Sequence, residues 1–229
     1  MLTKEYIKKV LWCVFKQIEI DSLYIKSDFD ANYSTGSMVC NDEIIEFKDD
    51  IFIVEGDAWY FRCGASKMVL ICDDYDEVIK IPFTGMYYEE YEDATEYQQD
   101  YIDTENVLYE ESSETLRKIL LKNTFVMNYG ELPIYTQKRI KMNFLQKFSN
   151  NTDLVDPIMT RYVKKLIDED NRHPNDLPAT YFLVDIMKYF GEEGRDIIRQ
   201  IEFDDMNNLN YGYMNDGCPV IFDYAGFDY

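Results

Sequence analysis

Near its end the chain carries three polar side chains with oxygen atoms to offer, Asp205, Asn210 and Asp223. They lie in FDDMNNLNYGYMNDGCPVIFDYAGFDY, from Phe203 to Tyr229, with Asn210 five positions after Asp205 and Asp223 thirteen further on. That stretch reads as turn, strand, turn, strand, with acids at the strand ends, unlike a frayed terminus. Far upstream, Lys80 sits in the strand-like run EVIKIPF, and Gly64, Ser66 and Lys67 lie in CGASKMV, between two further strand-like runs. Zinc chemistry is disfavoured. The five cysteines form no Cys-x-x-Cys pair, and the single histidine, His173, stands in the loop-like NRHPND. The cysteines read as free thiols of a reducing compartment.

The elements that must hold these residues follow from periodicity. Leu2, Tyr6, Val10, Val14 and Ile18 recur every four residues beside Ile7, Leu11 and Phe15, predicting an amphipathic N-terminal helix over 1–25. Residues 26–42 read as loop, and EIIEFKDDIFIVEG as one or two strands. The runs AWYFRC, KMVLIC and EVIKIPF, separated by GAS and DDYD, predict an antiparallel meander from Trp59 to Phe83. An acidic, tyrosine-rich connection over 87–101 leads to a helix within YQQDYIDTENVLYEESSETLRKILL, and TFVMNYGELPIYTQKRIKM predicts a hairpin turning at NYGELP. Beyond Phe144 the pattern turns helical in DLVDPIMTRYVKKLIDED and DLPATYFLVDIMKYF, the latter capped by Asp176, with EEGRDIIRQI adding a further turn or two. The class is α+β, with a β-rich region over 43–143 and a mainly helical one over 144–229.

The chain has 229 residues, a hydrophobic content of 46% and a formal net charge of −21. It can bury a core, and its acidity repels nucleic-acid phosphates, so direct DNA or RNA binding is not expected. No apolar run approaches a membrane span, and the start lacks a signal-peptide pattern, so a cytoplasmic protein is expected. The excess of acid would suit a partner protein with a basic surface.

Taken in order, a hairpin with Gly64 and Ser66, a strand with Lys80, an acidic helix, Asp205-x-x-x-x-Asn210, an apolar strand and Asp223-Tyr224-Ala225 resemble the protein-kinase-like superfamily. Lys80 in EVIK is similar to the family's strand lysine, DMNNLN to its catalytic loop, and DYAG to its metal-binding Asp-Phe-Gly. The ending DMNNLNYGYMNDGCPVIFDYAG is most similar to small phage-encoded kinase-like proteins, with Asn207 where histidine is usual. The resemblance covers most of the chain beyond residue 55, leaving out the first helix. One glycine remains in the glycine-rich loop, and Phe203 and Asp204 replace the histidine and arginine that precede the catalytic aspartate.

The resemblance implies a bilobal fold with a β-sheet N-lobe and a reduced helical C-lobe, binding ATP and Mg²⁺ in an interlobe cleft. Phosphoryl transfer gathers negative charge, so such a site needs a cation and metal ligands above all. Lys80 would contact the α- and β-phosphates, with the turn over Gly64, Ser66 and Lys67 laid across them. Glu105, on the apolar face of DTENVLY, would hold the lysine, with Glu110, Glu111 and Glu114 as rivals. Asn210 and Asp223 would hold Mg²⁺, and Asp205 would orient the attacking hydroxyl or accept its proton. Six residues follow Asp223, so neither an activation segment nor a substrate-holding helical region is expected. Two roles stay open: a minimal kinase, or a pseudokinase scaffold. In the second role the acidic surface, with YYEEYEDATEY (Tyr87–Tyr97) at its centre, would inhibit a host defence protein as an anti-CRISPR or nucleic-acid mimic does.

Overall fold

The computed structural model describes residues 1–28, 35–48, 51–64, 66–88, 93–96, 101–143, 156–169, 177–201 and 210–224. They form a mixed α+β structure in two compact units, residues 1–104 with 123–139 and residues 105–122 with 140–229.

The first unit begins with α1 (Lys4–Phe15). Thr3 caps it by accepting from the Tyr6 N–H, and Lys16, in the left-handed region at φ 56°, ends it. Ile7, Val10, Leu11 and Phe15 are buried, as the four-residue spacing predicts, but Ile18 lies beyond the left-handed stop and is exposed. Three strands that follow, β1 (Leu23–Lys26), β2 (Thr35–Cys40) and β3 (Glu43–Lys48), pair antiparallel in chain order. The loop expected over 26–42 is thus corrected. TGSMVC has weak strand propensity, but β1 and β3 supply its ladder on both sides, and pairing overrides propensity.

Next come β4 (Phe52–Val54), β5 (Asp57–Cys63), β6 (Lys67–Cys72) and β7 (Glu77–Pro82); the last three form the expected meander, and β4 pairs antiparallel with β5. The tyrosine-rich connection contains its own hairpin, β8 (Gly85–Tyr88) with β9 (Asp93–Glu96), and β8 runs parallel to β1. The hairpin β10 (Asn123–Tyr129) and β11 (Leu132–Lys138) joins β7, giving a six-stranded sheet of order β10-β11-β7-β6-β5-β4; the other sheet is ordered β3-β2-β1-β8-β9. Both sheets and α1 share one apolar core, in which Trp59, Met68, Leu70, Ile79 and Ile81 meet Ile7 and Leu11.

The helix α2 (Tyr101–Glu111) is shorter than the sequence pattern suggests, and a 3-10 turn at Leu116–Lys118 follows. The second unit contains the short strand β12 (Met142–Asn143) and the helices α3 (Pro157–Glu169), α4 (Leu177–Phe190) and α5 (Glu192–Ile198). Asp156 caps α3 by accepting from the Ile158 and Met159 N–H groups. Asp176, the expected cap of α4, and His173 lie outside the described residues. The chain then forms β13 (Tyr211–Tyr213) and β14 (Pro219–Ile221), antiparallel with β12 in a three-stranded sheet. Phe182 and Tyr211, with ring centres 4.3 Å apart, lie in the core of this unit beside Val163, Ile197 and Leu116.

Candidate phosphate and metal sites

Alternation along β7 decides where Lys80 stands. Ile79 and Ile81 point into the apolar core, so Lys80 and Val78 take the opposite face of the sheet. Lys80 is registered against Val69 on β6 and Tyr135 on β11. On β6, Met68, Leu70 and Cys72 are core residues, which places Lys67 and Val69 on the face of Lys80. Lys67 faces Pro82, so the two lysines are diagonal cross-strand neighbours, a spacing of about 7–8 Å between backbones. Both are buried, Lys80 at 2% and Lys67 at 4% exposure. Burying two like charges on one sheet face demands negative charge among their surroundings.

Gly64 and Ser66 lie in the turn between β5 and β6, at the end of the strand that carries Lys67. The Gly64 N–H donates to the Lys67 carbonyl at 3.0 Å, and the Ser66 carbonyl accepts from the Phe83 N–H at 2.9 Å. Gly64 therefore spends its own amide on closing the turn. The space where its side chain would stand is open. Gly64, Ser66, Lys67 and Lys80 are brought together on one part of the six-stranded sheet.

In the second unit Asn210 is the backbone partner of Phe222, the residue before Asp223. The Phe222 N–H donates to the Asn210 carbonyl at 2.9 Å, which carries the β13–β14 ladder one step past Tyr211 and Ile221. Thirteen residues of sequence separation thus close into one hairpin end, with Asn210 buried and Asp223 half-buried. Among the described residues no cluster of three or more His, Cys, Asp or Glu side chains is placed to hold a metal. The donor set still fits Mg²⁺, which takes one or two protein oxygens and fills its octahedron with phosphate and water. Glu105 on α2 is fully buried. Its rivals Glu110 and Glu111 are exposed, Glu110 being paired with Lys122. Asp205 lies outside the described residues.

The thiols are free, with Cys40, Cys63 and Cys72 buried and Cys13 and Cys218 half-buried. Burial pushes the Cys40 thiol up to about 12 and raises Cys63 further, so neither is a thiolate at neutral pH.

Sequence reasoning missed a groove of about 550 Å³ in the first unit, lined by Lys8, Trp12 and Cys13 of α1, Ile53 of β4 and Tyr129 of β10. Its walls come from two strands at opposite edges of one sheet. Only the assembled topology joins them; the one hint in the sequence is Trp12 on the polar side of α1.

No helix among the described residues is long and apolar enough to cross a membrane. No family model matches the chain, and no curated protein matches it.

Proposed function

We propose that this chain is a minimal protein-kinase-like protein that binds ATP with Mg²⁺. The observation that carries the reading is the pair of buried lysines, Lys67 and Lys80, on one sheet face beside the Gly64 turn. Buried, diagonally paired ammonium groups suit the oxygens of a polyphosphate, whose charge they offset in a medium of low dielectric.

In this reading Lys80 and Lys67 bind and orient the α- and β-phosphates. Glu105 is the buried carboxylate that the resemblance assigns to holding Lys80. Asn210 and Asp223 supply the protein oxygens for Mg²⁺, which when bound neutralises charge on the β- and γ-phosphate oxygens. Asp205 orients the acceptor hydroxyl and takes up its proton as the phosphorus–oxygen bond forms, and ADP leaves.

A thermal-shift titration tests binding. A ligand held at a hundred times its dissociation constant stabilises the folded state by about 2.7 kcal/mol, roughly 5–10 °C for a chain of this size. ATP with Mg²⁺ is expected to raise the melting temperature of the wild type and to shift Asp223→Ala much less. No shift in either protein discards nucleotide binding.

The net charge of −21 favours a second reading, a non-catalytic inhibitor that presents its acidic surface to a basic groove on a host defence protein. Capture of such a partner would weaken as salt is added. A grip indifferent to salt, and to charge reversal within residues 89–100, sinks this alternative.

A further inference from the structure

We infer that, within the nucleotide reading on which this rests, Asp185 and Tyr189 of α4, bonded to Tyr213 and Asp216, are positioning residues for the hairpin end that offers Asn210 and Asp223 to the metal. The β13–β14 ladder is short, with three residue pairs between the strands and two more between β13 and β12. One of its residues is Gly212 and another is Pro219, which has no N–H to give. The core grips the hairpin beside Asn210, where the Tyr211 ring meets Phe182 and the Ile221 N–H donates to the Ile119 carbonyl at 2.7 Å. A short rod gripped near one end pivots about that point, and its far end sets its direction.

That far end is clasped twice to α4. The Tyr213 hydroxyl donates to Asp185 Oδ2 at 2.6 Å, and the Tyr189 hydroxyl donates to Asp216 Oδ2 at 3.1 Å. Asp216 Oδ1 also accepts from the Cys218 N–H at 3.0 Å, so one carboxylate joins the turn to the helix. Asp185 and Tyr189 stand four residues apart on one side of α4. Helix and hairpin each supply one phenol and one carboxylate, and two such bonds fix rotation where one would leave a hinge. Both bonds are charge-assisted, and Tyr213, at 4% exposure, is too buried for water to replace a lost partner. Mg²⁺ demands near-octahedral ligands, so a pivoted hairpin would weaken its hold. A lysine ammonium is a point charge on a flexible stem and tolerates such a shift.

Calorimetric titration of ATP, once with Mn²⁺ standing for Mg²⁺ and once in EDTA, separates the metal's contribution from the rest. Mn²⁺ is expected to tighten ATP binding to the wild type, and the ratio of the two affinities is the readout. Tyr213→Phe keeps the ring and removes the hydroxyl; it should lower that ratio about tenfold and leave the affinity in EDTA unchanged. Tyr189 is 45% exposed, so Tyr189→Phe should fold normally and lower the ratio about threefold. Asp185→Asn still offers an oxygen to the Tyr213 hydroxyl and should keep most of the ratio, whereas Asp185→Ala should lose as much as Tyr213→Phe. A ratio unchanged in both phenylalanine variants, or a loss equal with Mn²⁺ and in EDTA, overturns the inference and leaves the nucleotide reading standing. If Mn²⁺ fails to tighten ATP binding to the wild type, the metal ligands and their positioning residues fall together. If ATP binds under neither condition, the nucleotide reading falls and takes this inference with it.

Discussion

Lys67 and Lys80 stand on the same face of the six-stranded sheet as diagonal neighbours on paired strands, each at most 4% exposed. Strand alternation dictates this, because Ile79 and Ile81 on either side of Lys80, and Met68 after Lys67, face the apolar core. The sheet therefore has one apolar face, shared with α1, and one face that takes lysines out of water.

If those lysines hold phosphate, Lys80→Met should abolish the ATP-dependent rise in melting temperature, and Lys67→Met should reduce it. Losing a charge-assisted contact of about 1.5–3 kcal/mol corresponds to roughly a tenfold to hundredfold weaker affinity. Calorimetric titration of ATP with Mg²⁺ into the folded variants measures it. Unchanged affinity in both variants removes the sheet face from nucleotide binding.

How much of this could be read in advance depends on the length over which a pattern acts. The meander from β5 to β7 is legible because Trp59, Phe61, Met68, Leu70, Ile79 and Ile81 alternate with polar or less buried residues. The same alternation gives Lys80 its face. The strand β2 is not legible, since its glycine and serine carry turn chemistry, and only β1 and β3 on either side make it a strand. The hairpin β8–β9 is hidden in the same way by its acids and tyrosines. At the candidate site, the motif spacing points to Asn210 and Asp223, and the β13–β14 register brings Asn210 to Phe222, one residue before Asp223, at one hairpin end. The Trp12 groove depends on two sheet edges approaching α1, and no local pattern encodes that.

A close approach near the groove makes Gly130 indispensable. Its φ is +67°, and a Cβ there would stand 2.4 Å from the Ile20 carbonyl oxygen, where the two residues form a parallel bridge. Gly56 has φ +104° but open space around it. Gly56→Ala should cost about 1 kcal/mol from backbone strain alone, and Gly130→Ala about 3 kcal/mol or more because backbone must also move. Urea midpoints at constant slope measure both. Equal losses would show that the Ile20 contact relaxes freely.

Asp57 ties α1 to the sheet and carries a pH signature. Its carboxylate accepts from the hydroxyls of Tyr6 on α1 and Tyr75, the latter at 2.7 Å, and the Trp59 indole N–H donates to Tyr6. The Tyr6 bond first, then the Tyr75 bond, holds the Asp57 carboxyl below its ordinary value. A lowered folded pKa contributes stability that is complete above the unfolded value of about 3.9 and is lost as pH falls through the folded value. Wild type should therefore exceed Asp57→Asn in urea midpoint by a constant margin from pH 7 to about 5, and the margin should close below about pH 4. A margin that persists undiminished to pH 2 would mean that the carboxylate's charge is irrelevant to the tie.

The end of α2 is held by a fork rather than by a glycine. Arg117 donates through Nε to the Tyr109 carbonyl at 2.9 Å and through Nη2 to the Glu110 carbonyl, and its guanidinium lies 5.7 Å from the Tyr109 ring centre. Helices leave their last carbonyls without partners, and a cation there also opposes the negative end of the dipole. Lysine has the charge but lacks the planar pair of donors. Arg117→Ala should destabilise the last turn by about 1–2 kcal/mol, and Arg117→Lys by nearly as much. The Ser112 amide, which donates to the Leu108 carbonyl at 2.9 Å, reports on that turn. Its hydrogen exchange should accelerate about tenfold in Arg117→Ala while the amides of α4 keep their rates, if the turn opens locally. Full rescue of Ser112 protection by lysine would assign the effect to charge alone, and an unchanged rate in both variants would mean that the turn is held without the fork.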